Sequence, residues 1–166
     1  MKFFAYGTNV LLAKMMSLVT FAQAIGLAEL SGYQLIFNKK SHKDDSGLAN
    51  LTATQKATDK VYGNLYEVSD SYLSTLELAE GIQHGYHTQK VTVLCQGENI
   101  SATIFLCDDP AFLQNNLKPF DWYKAMIVRG LERLEAPADY TQKVKKMEDI
   151  LDVDVQRARI HLCFLE

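Results

Sequence analysis

Tyr6-Gly7-Thr8-Asn9 is the first place in this sequence where chemistry could be staged. A strand-like run from Lys2 to Tyr6 stops at Gly7, two residues with backbone-bonding side chains follow, and a helical pattern then begins. A turn of this kind can aim several N–H groups at one anion. A carboxylate or oxyanion would then be held by backbone amides and by the positive end of the following helix, with no charged side chain required. The same four residues also read as an ordinary strand-to-helix turn. Glu80 is the second candidate. Taking ~100° per residue with Leu73 at zero, Leu76 falls near about −60°, Tyr72 near about −100°, Ala79 near about −120° and Glu80 near about −20°, which places one carboxylate inside the apolar arc. Glu77, near about +40° on the same count, lies just outside it. Desolvation and the negative end of the helix both disfavour an ionised Glu80, raising its pKa toward the range useful for proton transfer. A Glu pointing to water at a frayed helix end is the competing reading.

Other reactive side chains form weaker patterns. Tyr86, after Gly85, and Tyr123 could orient a small polar ligand through their hydroxyls, although the chain has eight tyrosines and most pack as half-buried aromatics. His84 and His87 sit three apart in a loop without an HExxH motif or a Cys/His cluster, so no metal site is expected. Cys95, Cys107 and Cys163 make no CxxC pair and are odd in number; they read as reduced core thiols rather than a disulfide framework or a nucleophile. Lys143, Lys145 and Lys146 are followed at once by Glu148, Asp149, Asp152 and Asp154, a solvated face of mixed charge.

The elements that must position these residues follow from periodicity and punctuation. Val10 to Leu18 carries Leu11, Leu12, Met15, Met16 and Leu18 at helical spacing. Tyr33–Asn38, Leu48–Ala53 and Val61–Val68 read as strands, with Lys39–Ser46 a polar loop and Gly63 the mark of a bulge or a close backbone approach. Ser69 is a suitable N-cap and Gly81 a suitable terminator for a helix over Asp70–Glu80. Thr88–Cys95 and Asn99–Cys107 flank Gln96-Gly97-Glu98 as an antiparallel hairpin. Helices are expected over Asp121–Leu134 and Ala138–Leu151, the second opened by Pro137. Arg157–Glu166, where Ile160, Leu162 and Phe164 alternate, is open between a terminal strand and a helix end. With no linker or internal repeat, 166 residues make one α+β domain spanning 1–166.

Composition narrows the function classes. Seventeen Lys+Arg against 20 Asp+Glu give a net charge of −3, with no positive excess to hold a nucleic-acid backbone. The longest apolar stretch, Ala22 to Leu30, is interrupted by Gln23, Gly26 and Glu29 and falls far short of the ~20 residues that span a bilayer. The polar residues at Gly7-Thr8-Asn9 leave the N-terminus too short an apolar core for a signal peptide, so a cytoplasmic protein without membrane attachment is expected.

Several segments together resemble the γ-glutamylcyclotransferase-like proteins in order and spacing. Phe4-Ala5-Tyr6-Gly7-Thr8-Asn9 comes first, then Ala28 through Phe37, then Ser46-Gly47-Leu48-Ala49-Asn50-Leu51. Val61-Tyr62-Gly63-Asn64-Leu65-Tyr66 is similar to the family's V-x-G-x-[LV]-[YW] strand, and Ala79-Glu80-Gly81 with Gly85-Tyr86 to its E-G-x(3)-G-Y segment. Pro119 through Tyr123 to Gly130, followed by Tyr140, resembles its last helical region; the likeness covers about residues 2–148.

The resemblance implies a mixed, partly closed sheet or barrel with flanking helices, and conversion of a γ-glutamyl amine or amino acid into 5-oxoproline and the free amine. Glu80 would be the general acid/base. Tyr6, Gly7, Thr8, Asn9, Tyr86 and Tyr123 would bind the substrate. The partner implied is a small γ-glutamyl molecule, with a homodimer left open, and an intramolecular aminolysis needs neither metal nor organic cofactor. The chain departs from the family pattern at Thr8, which stands where Ser is commoner, at Phe105, where some members carry Tyr, and at His87-Thr88, which replace an Arg. A binding module that keeps the fold without turnover, and a cyclotransferase for a specialised γ-glutamylated metabolite or amine, are the alternatives.

Overall fold

The computed structural model describes residues 1–166, the side chain of Glu80 excepted. Five strands close into a barrel: β1 (Lys2–Ala5), β2 (Gln23–Ser31), β5 (Lys60–Glu67), β6 (His87–Cys95) and β7 (Glu98–Leu106), in the order β1-β5-β2-β6-β7. Closure comes from one parallel pairing, Phe3 with Thr103, while all other neighbours are antiparallel. The sheet is therefore mixed and closed into a barrel, the architecture the resemblance implies. A separate hairpin, β3 (Tyr33–Lys40) and β4 (Gly47–Ala53), stands beside the barrel. Five helices flank these sheets: α1 (Leu12–Leu18), α2 (Leu73–Glu80), α3 (Asp121–Arg133), α4 (Ala138–Lys145) and α5 (Val155–Leu162).

Strand alternation explains which faces are buried. In β2, Ala28 and Leu30 point into the core while Glu29 between them bonds the Tyr62 hydroxyl at 2.9 Å and lies 2.8 Å from Lys60 Nζ. The sequence leaves this strand unassigned because a register shift between Ala24 and Gly26, with Gly26 at φ +135°, breaks the alternation. Gly63 is the close approach that its position suggested, since a Cβ there would lie 2.1 Å from the Ala5 carbonyl oxygen where β5 crosses β1. The β6–β7 hairpin turns on Gln96 and Gly97, both at positive φ, the backbone of a two-residue turn that follows the strand twist.

Several helix boundaries differ from the sequence reading. α1 begins at Leu12 because Leu11 is extended and buried under α3, where Gly130 lets the backbones meet; a Cβ on Gly130 would lie 2.7 Å from Leu11 N. Asp70–Tyr72 is a 3-10 turn ahead of α2, and the Ser69 hydroxyl contacts Ser71 Oγ at 2.9 Å instead of capping the helix. Gly81 ends α2 in the left-handed conformation, as its type predicts. α4 stops at Lys145 rather than Leu151, because Ile150 leaves the helix to exchange backbone bonds with Pro119 and Asp121. The undecided C-terminal segment is helical. Asp154 accepts bonds from the amides of Gln156 and Arg157 and so nucleates α5. Cys95 and Cys107 are buried, whereas Cys163 is exposed at the end of α5 and is no core thiol. Among the described residues, no helix is long and apolar enough to cross a membrane.

Candidate active site

The Tyr6-Gly7-Thr8-Asn9 turn sits where β1 leaves the barrel. Thr8–Val10 forms a single 3-10 turn, closed by Val10 N–H to the Gly7 carbonyl and Leu11 N–H to the Thr8 carbonyl, at 3.0 and 3.1 Å. The turn's own bonding starts at the Val10 amide, so the amides of Gly7, Thr8 and Asn9 lie ahead of it. The positive end of α1 is displaced to Leu12 and is not at this turn, which corrects the sequence expectation and leaves the individual amides as its donors.

Two structural tyrosines fix this corner. The Tyr66 hydroxyl, on β5 and fully buried, donates to the Asn9 carbonyl and accepts from Asn64 Nδ2, both at 2.8 Å. Burial pushes its phenol well above the ordinary range, so it remains a neutral donor. The Tyr6 hydroxyl donates to the Phe105 carbonyl on β7. Phe105 itself packs against Phe3, with ring centroids 5.4 Å apart, so its side chain extends the core.

Tyr86 and Tyr123 meet at Ala49 of β4. The Tyr86 hydroxyl donates to the Ala49 carbonyl, and the Ala49 amide donates to the Tyr123 hydroxyl at 3.2 Å. A Cβ on Gly7 would lie 3.4 Å from Ala49 Cβ and 3.6 Å from the Tyr123 hydroxyl, so the turn closes tightly over this junction. Tyr6, Gly7, Thr8, Asn9, Tyr86 and Tyr123 thus converge on one inner pocket of about 30 Å³. Thr8, Asn9, Tyr86 and Tyr123 also line an outer cavity of about 330 Å³, so they form the neck between the two. The inner pocket accepts one small polar group, and the outer cavity is of a size that holds a small molecule.

Glu80, the expected acid/base, ends α2; its side chain lies outside the described residues. Ala79 and Gly81 on either side of it line the outer cavity. Leu76 is the buried anchor of α2, and Ala79, counted by phase within the apolar arc, is exposed. His84 lines the outer cavity and stacks on His42 at 3.6 Å, while His87 lies outside both pockets, 3.4 Å from Asp108. Burial, the neighbouring imidazole, and Lys43 and Lys39 push the His42 pKa down. Burial pushes the Cys107 thiol up, against a role as nucleophile. Among the described residues, no group of three metal-ligating side chains occurs.

Sequence reasoning missed much of the outer wall. Lys39, assigned to a polar loop, is the last inward position of β3 after Leu35 and Phe37. Its two-residue spacing from Phe37 was the available signal. Trp122, Arg157 and His161 also reach this cavity, brought together across 39 positions by Asp152. The Asp152 carboxylate, fully buried, accepts from Trp122 Nε1 at 2.8 Å and from Arg157 Nε and Nη2 at 2.7 and 2.6 Å, and the His161 ring stacks on Trp122 at 3.9 Å.

A model of the AIG2-like family matches residues 60–144, about half of the chain. The human protein named gamma-glutamylcyclotransferase is 28% identical over 150 residues, covering 88% of this chain and 78% of its own length. Its bovine namesake is 27% identical over 152 residues, with the same coverage. Among solved structures, one named gamma-glutamyl cyclotransferase superimposes with a TM-score of 0.83 at 24% identity, covering 96% of each chain, a likeness of fold. With a family match across half its length on a barrel of the same fold, the chain belongs to the AIG2-like family.

Proposed function

We propose that the protein is a γ-glutamyl cyclotransferase, releasing 5-oxoproline and a free amine or amino acid from a γ-glutamyl substrate. The observation that carries this reading is the neck formed by Thr8, Asn9, Tyr86 and Tyr123, which joins a pocket for one small polar group to a cavity for the rest of a small molecule. The names of the human and bovine relatives point the same way. The substrate carries its own nucleophile. Its α-amino nitrogen attacks the γ-carbonyl carbon, closing a five-membered lactam, and the bond from that carbon to the departing nitrogen breaks. Folding the chain into this near-attack geometry supplies much of the rate, because the reaction is intramolecular.

Proton movement needs one carboxylate. Glu80 takes a proton from the α-ammonium to expose its lone pair and returns one to the departing nitrogen as the tetrahedral intermediate collapses. The second ammonium proton follows to the released amine, which leaves as its ammonium. The amides of the Gly7–Asn9 turn hold the glutamyl half and stabilise the negative charge that develops on the carbonyl oxygen. Tyr6, Tyr86 and Tyr123 act through placement, since each hydroxyl is tied to backbone and keeps the pocket wall rigid.

The test is a panel of γ-glutamyl amino acids, γ-glutamyl amines and glutathione incubated with purified protein, with 5-oxoproline measured by mass spectrometry. Turnover of at least one member is expected. No release from any of them would refute the proposal and leave a binding module of the same fold.

A further inference from the structure

A separate cavity of about 370 Å³ adjoins the end of the Tyr6–Asn9 turn and shares no lining residue with the two pockets described above. Its floor is buried and drawn from three elements: Val10 and Leu11 leave the turn, Gly130 of α3 lies against them, and Asn64 of β5 completes it. Ala13 of α1 and Ala24 of β2 are small and exposed, which keeps the cavity open. Leu12 and Met16, 39% and 44% exposed, supply an apolar rim.

Asn64 is the buried polar side chain of this lining, at 2% exposure. Its Nδ2 donates to the Tyr66 hydroxyl at 2.8 Å and approaches the Val10 carbonyl at 3.4 Å. These contacts fix the amide, because a flipped side chain would set Oδ1 against the Val10 carbonyl oxygen. Oδ1 is buried and has no hydrogen-bond partner among the described residues. A carbonyl oxygen in that state has lost its hydration without replacement, a cost that a donor on a bound molecule would recover.

We propose that this cavity is a second ligand site, taking a small apolar molecule with one hydroxyl or N–H group that donates to Asn64 Oδ1. The volume suits such a molecule, and the apolar wall favours burial of its body. The polar contact lies at the floor of a recess, which a compact molecule meets and a flat protein surface does not. The exposed Leu12 and Met16 side chains change rotamer readily, which lets the donor reach the oxygen beneath them. A ligand held there is two hydrogen bonds from the turn, since Asn64 Nδ2 donates to the Tyr66 hydroxyl and that hydroxyl donates to the Asn9 carbonyl. Nothing in this site depends on the cyclotransferase reading.

The experiment titrates the full chain with para-tert-butylphenol and with para-tert-butylanisole, its methyl ether, which has the same apolar body and no donor. Proton–nitrogen correlation spectra follow each. The phenol should bind at about 1 mM or tighter, and at least about tenfold more tightly than the ether, the ratio that one hydrogen bond to a stranded acceptor supplies. Its shifts should centre on the amides of Ala13, Ala24 and Gly130, with the Trp122 indole of the outer cavity unmoved. Ala13→Phe and Ala24→Phe each enlarge an exposed lining residue, on two different elements so that one misfolded variant leaves the other to decide, and each should weaken the phenol at least about tenfold. Equal affinity for phenol and ether, the absence of saturable binding, or shifts centred on Trp122 would each overturn the proposal, as would undiminished binding by a folded variant. Sedimentation with and without the phenol should give one unchanged mass; a dimer that the phenol splits would assign the cavity to a second copy of the chain and overturn the small-molecule site.

Discussion

Tyr66→Phe is the sharpest probe of how the barrel holds its active corner. The substitution removes one oxygen from a fully buried position and keeps the ring packing. Three bonds vanish, those to the Asn9 carbonyl and from Asn64 Nδ2, each 2.8 Å in length, and a longer one to the Val10 carbonyl at 3.3 Å. Asn64 Nδ2 retains only a 3.4 Å contact to the Val10 carbonyl. An unsatisfied buried polar group costs about 1–3 kcal/mol, so two groups, one of them partly compensated, should cost about 2–4 kcal/mol. For a chain of this size that lowers Tm by roughly 4–16 °C. The freed turn should also lose its register at Asn9, and kcat/KM with any turned-over γ-glutamyl substrate should fall at least about tenfold, or 1.4 kcal/mol. Differential scanning calorimetry and a steady-state assay on the same preparation check both. An unchanged Tm with unchanged kcat/KM would show that the hydroxyl neither stabilises the corner nor positions it.

Gly63→Ala should destabilise the fold by more than about 4 kcal/mol, because the added Cβ meets a backbone oxygen that cannot move aside without parting β1 from β5; circular dichroism on heating reads this. Burial, aided by Lys14, Lys43 and Arg157 and opposed by Asp152, pushes the His161 pKa below its unfolded value. The unfolded chain then binds the proton first, so the stabilisation from a neutral His161 is complete above about pH 6.5 and is lost as pH falls through the lower, folded value. Between pH 7.5 and 5.5 the Tm of wild type should therefore drop more than that of His161→Phe, which keeps the stack on Trp122 without the titration. Substitution of His84 or His87 by Ala should leave turnover within about tenfold, since neither imidazole moves a proton in the proposed reaction; a loss of several orders of magnitude in a folded variant would show that the base is misassigned.

What could be read from the sequence was mostly local. Gly81 and the Gln96-Gly97 turn announce their backbone conformations through residue type, and Gly63 announces a close approach. The six residues expected at the pocket are adjacent in the structure because β1, β4, β6 and α3 meet there, and Tyr6-Gly7-Thr8-Asn9 supplies four of them in one stretch. What escaped was set by tertiary context. Lys39 is polar by type yet inward by strand phase, and nothing local says that Tyr86 and Phe112 will cover it. Likewise α5 depends on Asp154 as a cap and on Asp152 joining Trp122 to Arg157, a contact across about 30 residues whose partners carry no shared motif. Ile160 and Leu162 alternate as in a strand, but both are exposed on a helix, so the alternation reported no burial.

The measurement that tests the proposed chemistry most directly is 5-oxoproline release by Glu80→Gln beside Glu77→Gln, with wild type as reference. Both changes remove one negative charge from α2 and keep the shape of the side chain, but only Glu80 is assigned the proton transfer. Loss of a general acid/base costs about 10² to 10⁴ in rate, so Glu80→Gln should fall by at least the lower figure while remaining folded and binding substrate. Glu77→Gln should turn over within about threefold of wild type. Wild-type turnover by Glu80→Gln would contradict the assignment outright, and a large loss in Glu77→Gln with Glu80→Gln intact would move the base to the other carboxylate.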